Sequence, residues 1–124
     1  MAQPAAHDGP TISTHVLDAE RGAPAVGVHV TLYKLGEDGR PLRLTQALTD
    51  SDGRVRDLLE RPLSAGDYRL EFTLVPDRPD PDRPVDEDRF FRRLAIDLRV
   101  VDTGRSYHVP LLLAPYSMTT YRGS

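Results

Sequence analysis

Three of the four histidines in this sequence lie where a strand pattern turns them outward, and His29 among them is expected to face solvent. His15 lies in the segment ISTHVLD, whose alternation places it on the face of Ser13 and Leu17. His108 lies in SYHVPLLL, on the face that also carries Leu112. Because histidine titrates near neutral pH without help, outward imidazoles of this kind predict proton transfer to or from a bound molecule. Taken singly, each also fits a structural histidine that is bonded to a backbone group.

The last residues of the chain, TTYRGS, carry an unusual set of polar groups for a terminus. A tail that only frays needs neither a tyrosine nor an arginine. We therefore expect the tail to fold back against a pocket and to supply polar groups to it, from Tyr121, Arg122, Gly123 and Ser124. The alternative is a tail held only for stability, which predicts that a C-terminal tag leaves activity intact.

Strands with a two-residue period must position these groups. The clearest is YRLEFTL at 68–74, where Tyr68, Leu70, Phe72 and Leu74 share one face. Further strands are predicted at residues 12–18, 28–35, 42–49, 94–100, 106–114 and 117–121. Short glycine-containing turns separate many of them, and no long helical period is present. This pattern predicts an all-β sandwich in which two antiparallel sheets pack on each other.

The domain organisation follows from two segments that lack this period. Residues 1–10 read as a disordered leader, which excludes His7 from the candidate site, and residues 11–124 form one domain. Residues 75–89, VPDRPDPDRPVDEDR, contain four prolines and many acidic side chains. Since proline cannot donate to a strand ladder, this segment is predicted to be an exposed loop. A mobile connector is its simplest role, and a lid or docking segment is the alternative.

Composition excludes several classes of function. The net charge is -3, with 16 cationic residues dispersed among 19 acidic ones, so no nucleic acid partner is expected. No apolar run approaches the roughly 18 residues of a membrane span, so no membrane partner is expected. The absence of cysteine excludes disulfides and thiolate metal sites, and fits a reducing compartment. The expected location is the cytoplasm.

Three segments together resemble a known family. They are STHVLDAERGAPAVGVHVTLY near the start, TDSDGR in the middle and YHVPLLLAPYSMTTYRGS at the end. In this order and spacing they resemble the 5-hydroxyisourate hydrolases, the transthyretin-related enzymes of purine catabolism, over most of the chain. The terminal YRGS is the most specific part, because the hormone-carrying transthyretins are similar in fold but lack that ending.

The resemblance implies both an architecture and a reaction. The architecture is an eight-stranded transthyretin-like sandwich with at most one short helix, assembled as a homotetramer that is a dimer of dimers. Two active-site clefts then lie where the dimers meet. The reaction is the hydrolytic opening of 5-hydroxyisourate to 2-oxo-4-hydroxy-4-carboxy-5-ureidoimidazoline, in urate degradation. It implies no metal and no organic cofactor.

The resemblance also assigns the residues of the site. It implies catalytic roles for His15, Arg54, His108 and Ser124. It implies substrate-binding roles for His15, Arg54, Tyr121, Arg122, Gly123 and Ser124. The assignment of Arg54 to the site depends on the resemblance alone, since an arginine after a Ser-Asp-Gly turn is otherwise expected to be an ordinary surface residue.

Two departures from the family pattern limit which features of the family are expected in this chain. Ser106 stands where many relatives have a further histidine, which weakens any case for a histidine-built zinc site. The loop at 75–89 replaces a more apolar segment that contains a helix in relatives, so that helix is expected to be shifted or missing.

Two other functions remain open at this point. The same sandwich suits a non-catalytic carrier of small aromatic ligands, although the YRGS ending and the two histidines argue against it. It also suits an immunoglobulin-like interaction module, because a sandwich by itself does not determine function. Such a module predicts an exposed apolar patch on a monomer and no cluster of polar groups in a cleft.

Overall fold

The computed structural model describes residues 7–78, 81–82 and 85–124. Within these residues it contains nine strands and no helix. The strands are β1 (Ile12–Asp18), β2 (Ala23–Pro24), β3 (His29–Leu35), β4 (Pro41–Leu48), β5 (Arg54–Val55), β6 (Gly66–Thr73), β7 (Arg93–Val100), β8 (Tyr107–Ala114) and β9 (Ser117–Thr120). The prediction of an all-β fold is confirmed. The part of the chain that the structure describes has no helix long and apolar enough to cross a membrane.

The seven longer strands match the predicted ones closely, whereas β2 and β5 are absent from the sequence-based prediction. Each of these two strands has only two residues, which is too short to show an alternating pattern. β5 matters for the site, because it places Arg54 beside β1.

The strands form two sheets. One has the order β2-β1-β8-β9, with β5 also paired to β1, and the other has the order β4-β3-β6-β7. The sheets are mainly antiparallel, as predicted, but β1 and β8 run parallel. No hairpin connects these two strands, so their direction is free to follow the packing of the sandwich. The parallel pair aligns the two histidine-bearing segments, with Ser13 opposite His108.

The core lies between the two sheets and is built from alternate residues of their strands. Fully buried strand residues include Ile12, Val16, Val30, Leu32, Ala47, Val55, Leu70, Phe72 and Leu111, and Leu58, which follows β5, joins them. Because side chains alternate across a strand, two of the residues between Ile12 and Val16 on β1 must face outward, Ser13 and His15. The apolar inward face thus fixes which side of the five-stranded sheet carries the polar candidates.

Two segments outside the strands were also predicted from the sequence. In the proline-rich segment, Asp77, Arg78, Pro81 and Asp82 are exposed, as expected of a surface loop, while residues 79–80 and 83–84 lie outside the described residues. Of the predicted leader, residues 1–6 also lie outside the described residues. The domain boundary at residue 10 stays a prediction.

His7, which the sequence analysis excluded as part of the leader, contacts a buried carboxylate. Its backbone N–H donates to Oδ2 of Asp57 at 2.8 Å, and its ring Nδ1 lies 2.6 Å from the same atom. Oδ1 of Asp57 accepts from the Thr11 hydroxyl and from the Leu59 backbone N–H. Asp57 is only 4% exposed. These bonds join the start of the chain to the segment that follows β5.

The same bonds set the protonation state of Asp57. Burial by itself raises the pKa of this carboxyl, but the hydrogen bonds from Thr11, His7 and Leu59 outweigh burial and hold the pKa well below its ordinary value of 3.8. A depressed pKa means that the carboxylate stabilises the fold above pH 3.8 and loses this contribution as the pH falls further. The hydrogen bond to Asp57 also raises the pKa of His7.

We expect Asp57→Asn to lower the free energy of unfolding by about 1–3 kcal/mol at neutral pH, because an amide cannot accept from all of these donors. The exposed Asp97, which pairs with Arg69 at 2.7 Å, provides a matched control. Asp97→Asn should lower the free energy of unfolding by less than about 1 kcal/mol. Urea denaturation of both variants measures the difference, and equal effects would contradict the structural role of Asp57.

Candidate active site

The outward face of the five-stranded sheet brings three of the predicted residues together. His15 on β1 lies opposite Arg54 of β5 on one side and opposite Pro110 of β8 on the other. His108 precedes Pro110 by two positions on the same face of β8. Three adjacent strands therefore present two imidazoles and one guanidinium on one surface.

The environment of His108 changes the acidity of its ring. Burial lowers its pKa from the ordinary value of 6.5, and the nearby positive charge of Arg54 and the His15 ring lower it further. The ring is consequently neutral at neutral pH. Its Nδ1 lies 2.8 Å from the Ser13 hydroxyl, the residue directly opposite on β1.

His15 is held by the turn that leads into β5. Its Nε2 lies 2.8 Å from the backbone carbonyl of Asp52. Because a carbonyl can only accept, Nε2 of His15 carries the hydrogen, and the lone pair of the neutral ring is on Nδ1. The TDSDGR segment thus contributes a backbone acceptor as well as Arg54.

The local sequence of this turn explains its shape. The Asp50 side chain accepts from the backbone N–H groups of Asp52 and Arg54, at 2.9 and 3.0 Å. Gly53 adopts a positive φ of 77°, and a Cβ at this position would collide with the Val16 carbonyl. Asp50 and Gly53 therefore fix the approach of β5 to β1, which positions Arg54 beside His15.

The C-terminal tail crosses His108. The backbone N–H of Gly123 donates to the His108 carbonyl at 2.7 Å, at the position that continues the β8–β9 register. A Cβ on Gly123 would lie 2.8 Å from Cδ2 of His108 and 3.2 Å from Cγ of Pro110. Only glycine lets the tail approach the imidazole this closely.

Tyr121 and Arg122 point to a different part of the molecule. They line a groove of about 310 Å³ at the edge of the sandwich, together with Ile96, Leu98 and Tyr107. The Arg122 guanidinium lies 5.4 Å from the centre of the Tyr107 ring, within the range of a cation–π contact. Its Nε also donates to the backbone oxygen of Ser124 at 3.4 Å. These contacts hold the tail against β8.

The structure thus gathers His15, Arg54, His108 and Gly123 at one place. Ser124 follows directly and is exposed in the single chain, with Arg122 as its hydrogen-bond partner. Sequence reasoning missed three supporting groups: the Ser13 hydroxyl, the Asp52 carbonyl and the Tyr107 ring. Ser13 had a signal, since alternation places it on the face of His15. The other two depend on the folded arrangement of turn and tail.

Comparison with known proteins places this arrangement in a family. The model of the HIUase/Transthyretin family matches residues 12–123, which contain all of the site except Ser124. This chain belongs to the HIUase/Transthyretin family. The family match covers both histidine-bearing strands, the turn before Arg54 and nearly all of the tail.

Individual members of the HIUase/Transthyretin family show the same likeness. The 5-hydroxyisourate hydrolase of Deinococcus radiodurans is 42% identical over 117 residues, covering 93% of this chain and 97% of the relative. The solved structure of Klebsiella pneumoniae 5-hydroxyisourate hydrolase has a TM-score of 0.70 at 32% identity, covering 93% and 99%. Sea bream transthyretin in complex with thyroxine has a TM-score of 0.72 at 26% identity, covering 90% and 92%. The transthyretin-like sandwich is therefore confirmed.

Proposed function

We propose that this protein hydrolyses 5-hydroxyisourate to 2-oxo-4-hydroxy-4-carboxy-5-ureidoimidazoline in urate degradation. The observation that carries the proposal is the meeting of His15, Arg54 and His108 on one face, with the tail backbone bonded to His108. The Deinococcus radiodurans relative, which is 42% identical and is covered over 97% of its length, bears the name of this enzyme. The reaction consumes water and breaks one C–N bond of the ring.

In this proposal His108 is the general base. A ring carbonyl next to nitrogen is a poor electrophile, so the attacking water must lose a proton as its oxygen bonds to the carbonyl carbon. The lowered pKa of His108 keeps its ring neutral and able to take that proton at neutral pH. The protonated ring can then return the proton to the ring nitrogen as the C–N bond breaks.

Arg54 and His15 have the other roles in the proposed attack. The Arg54 guanidinium is suited to stabilise the tetrahedral oxyanion and to contact the carbonyl-rich ring through two N–H groups. His15 keeps Nε2 bonded to the Asp52 carbonyl, which leaves Nδ1 to accept a proton or a substrate N–H. We assign His15 to substrate binding and proton transfer.

The tail completes the proposed site. Tyr121 and Arg122 anchor it at the groove beside Tyr107, and Gly123 brings it across His108. The next residue is Ser124, whose hydroxyl we assign to binding the ring or orienting the water. This assignment explains why a polar tail with a glycine follows β9.

The proposed assembly is a homotetramer, a dimer of dimers, with the site between subunits. His15, Arg54 and His108 lie on an outward sheet face rather than in a deep cavity of one chain, so a second subunit would exclude water from them. Leu17 and Leu112 lie half-buried on the same face and would pack at such an interface. Light scattering at micromolar concentration tests the assembly, and a monomer would contradict it.

The remaining parts of the proposal concern the cofactor and the compartment. Imidazole, guanidinium and hydroxyl groups can perform this hydrolysis, so we propose that it needs no cofactor, and activity should survive dialysis against a chelator. The cytoplasm is the proposed location, in keeping with a sequence that contains no cysteine.

The close approach of the tail leads to a further prediction. Gly123→Ala should lower kcat by roughly 10-fold, because the added Cβ meets Cδ2 of His108 and even about 1 Å of misplacement is costly. The melting temperature should hardly change, since the tail is exposed. Gly104→Ala is the matched control, because its Cβ would meet only the flexible Asp102 carboxylate, at 3.2 Å. Normal turnover by the Gly123 variant would contradict the positioning of the tail.

The function is tested by the absorbance decay of freshly generated 5-hydroxyisourate. Wild-type protein should accelerate the decay, and forms that lack Ser124 or carry residues after it should be slower. An N-terminal tag is the control for the extension. A protein that leaves the decay unchanged and instead binds thyroxine, the ligand in the sea bream transthyretin structure, would overturn the proposal in favour of a carrier.

A further inference from the structure

Ser13 is bonded to the imidazole that we propose as the base. It lies directly opposite His108 in the parallel β1–β8 pair, and its hydroxyl oxygen lies 2.8 Å from Nδ1 of that ring. The neighbouring Thr14 shows the contrast, because its hydroxyl points inward and donates to the Val109 backbone carbonyl at 2.7 Å. Of the two adjacent hydroxyls, one bonds to the backbone and the other to a side chain of the site.

The two edges of the His108 ring face different groups. Nδ1 is on the edge that faces Ser13, whereas Cδ2, which is bonded to Nε2, is on the edge that faces Gly123. Among the described residues, Nε2 makes no hydrogen bond. The nitrogen that can act on a bound molecule is therefore Nε2.

The direction of the Ser13–His108 bond decides whether Nε2 can act as a base. If the hydroxyl donates to Nδ1, the neutral ring must carry its hydrogen on Nε2 and has no lone pair there. If Nδ1–H donates to the hydroxyl oxygen, the lone pair is on Nε2. A hydroxyl is able to accept in this way whether the ring is neutral or protonated, so the bond can persist through a catalytic cycle.

We propose that Ser13 is a positioning residue for His108: its oxygen accepts Nδ1–H and keeps the lone pair of the neutral ring on Nε2, beside the tail. This inference rests on the proposed hydrolase function, for which the tautomer matters. Ser13 does not touch the substrate and acts through the orientation and tautomer of the ring. The same bond also restricts rotation of the imidazole about its Cβ–Cγ bond.

The experiment measures turnover and the ring tautomer of the same variants. Ser13→Ala should lower kcat by roughly 10- to 100-fold, as is typical when the partner that orients a reactive imidazole is lost, with little change in KM. In nitrogen NMR spectra of labelled protein without substrate, the His108 signal should shift towards the Nε2–H form. Ser13→Thr keeps a hydroxyl at the same position and should restore both properties.

Ser106→Ala is the matched control. The Ser106 hydroxyl accepts from the Thr11 backbone N–H at 3.0 Å and is not bonded to an imidazole. Its loss should leave kcat and the His108 tautomer unchanged. Both alanine variants should stay close to wild type in melting temperature, because neither side chain belongs to the core.

The outcomes separate this inference from the proposed function. Failure of the wild-type protein to hydrolyse 5-hydroxyisourate would overturn both the function and the role of Ser13. If wild type is active but Ser13→Ala keeps its kcat or its tautomer, the function stands and the positioning role is refuted. A loss of kcat that Ser13→Thr does not restore would also refute it.

Discussion

Replacing His108 with alanine is expected to lower kcat for 5-hydroxyisourate by roughly 10²- to 10⁴-fold, the usual contribution of a general base. The variant keeps Ser13, Arg54 and His15 but lacks the imidazole that we propose as the base for the attacking water. Single-turnover absorbance decay under excess enzyme measures the chemical step directly. The His108 side chain is only half-buried, so the variant should fold normally.

His29→Ala provides the control for the His108 variant. His29 begins β3 in the other sheet, where it lies opposite Leu48 and Thr73. Its loss should leave turnover near the wild-type rate. Equal rates for the two variants, with both proteins folded, would remove His108 from the mechanism.

Replacing Arg54 with alanine has two expected effects, one on the rate and one on its pH dependence. The rate is expected to fall by about 10²- to 10³-fold at neutral pH, because the positive charge that we propose stabilises the oxyanion is lost. The same charge lowers the pKa of His108, so its removal raises that pKa towards the ordinary value of 6.5. The base must be neutral to act, and a higher pKa leaves more of it protonated in mild acid.

The pH profile of kcat/KM therefore distinguishes this role of Arg54 from simple structural damage. For wild type, the rate falls on acidification through a pKa below 6.5. For Arg54→Ala, the acidic limb moves to higher pH. Arg54→Lys keeps the charge but not the two-pronged contact. Its acidic limb should therefore stay near the wild-type pH, whereas its rate should fall.

Arg56→Ala is the matched control for Arg54. Arg56 is exposed two residues further along and pairs with Asp52 at 3.5 Å. It should change neither the rate nor the pH profile by a measurable amount. An unchanged acidic limb in Arg54→Ala would show that the guanidinium does not act on His108.

Much of the fold was accessible from the sequence, because the two-residue period is a local property of the chain. Apolar alternation at 68–74 predicted β6, and the same pattern predicted the outward direction of His15 and His108. Arg54 had no such signal, since β5 has only two residues. Arg54 was assigned to the site because of the family resemblance, and no local pattern pointed to it.

The sequence by itself determined which residues form the seven longer strands and which side of these strands is polar, since both follow from steric and hydrophobic rules that act between near neighbours. Only the tertiary structure decided that β1 and β8 run parallel, so that Ser13 meets an imidazole 95 residues away. It also decided that the tail crosses His108. Such pairings depend on how whole sheets pack, and no local pattern encodes the partner, the direction or the register of a distant strand.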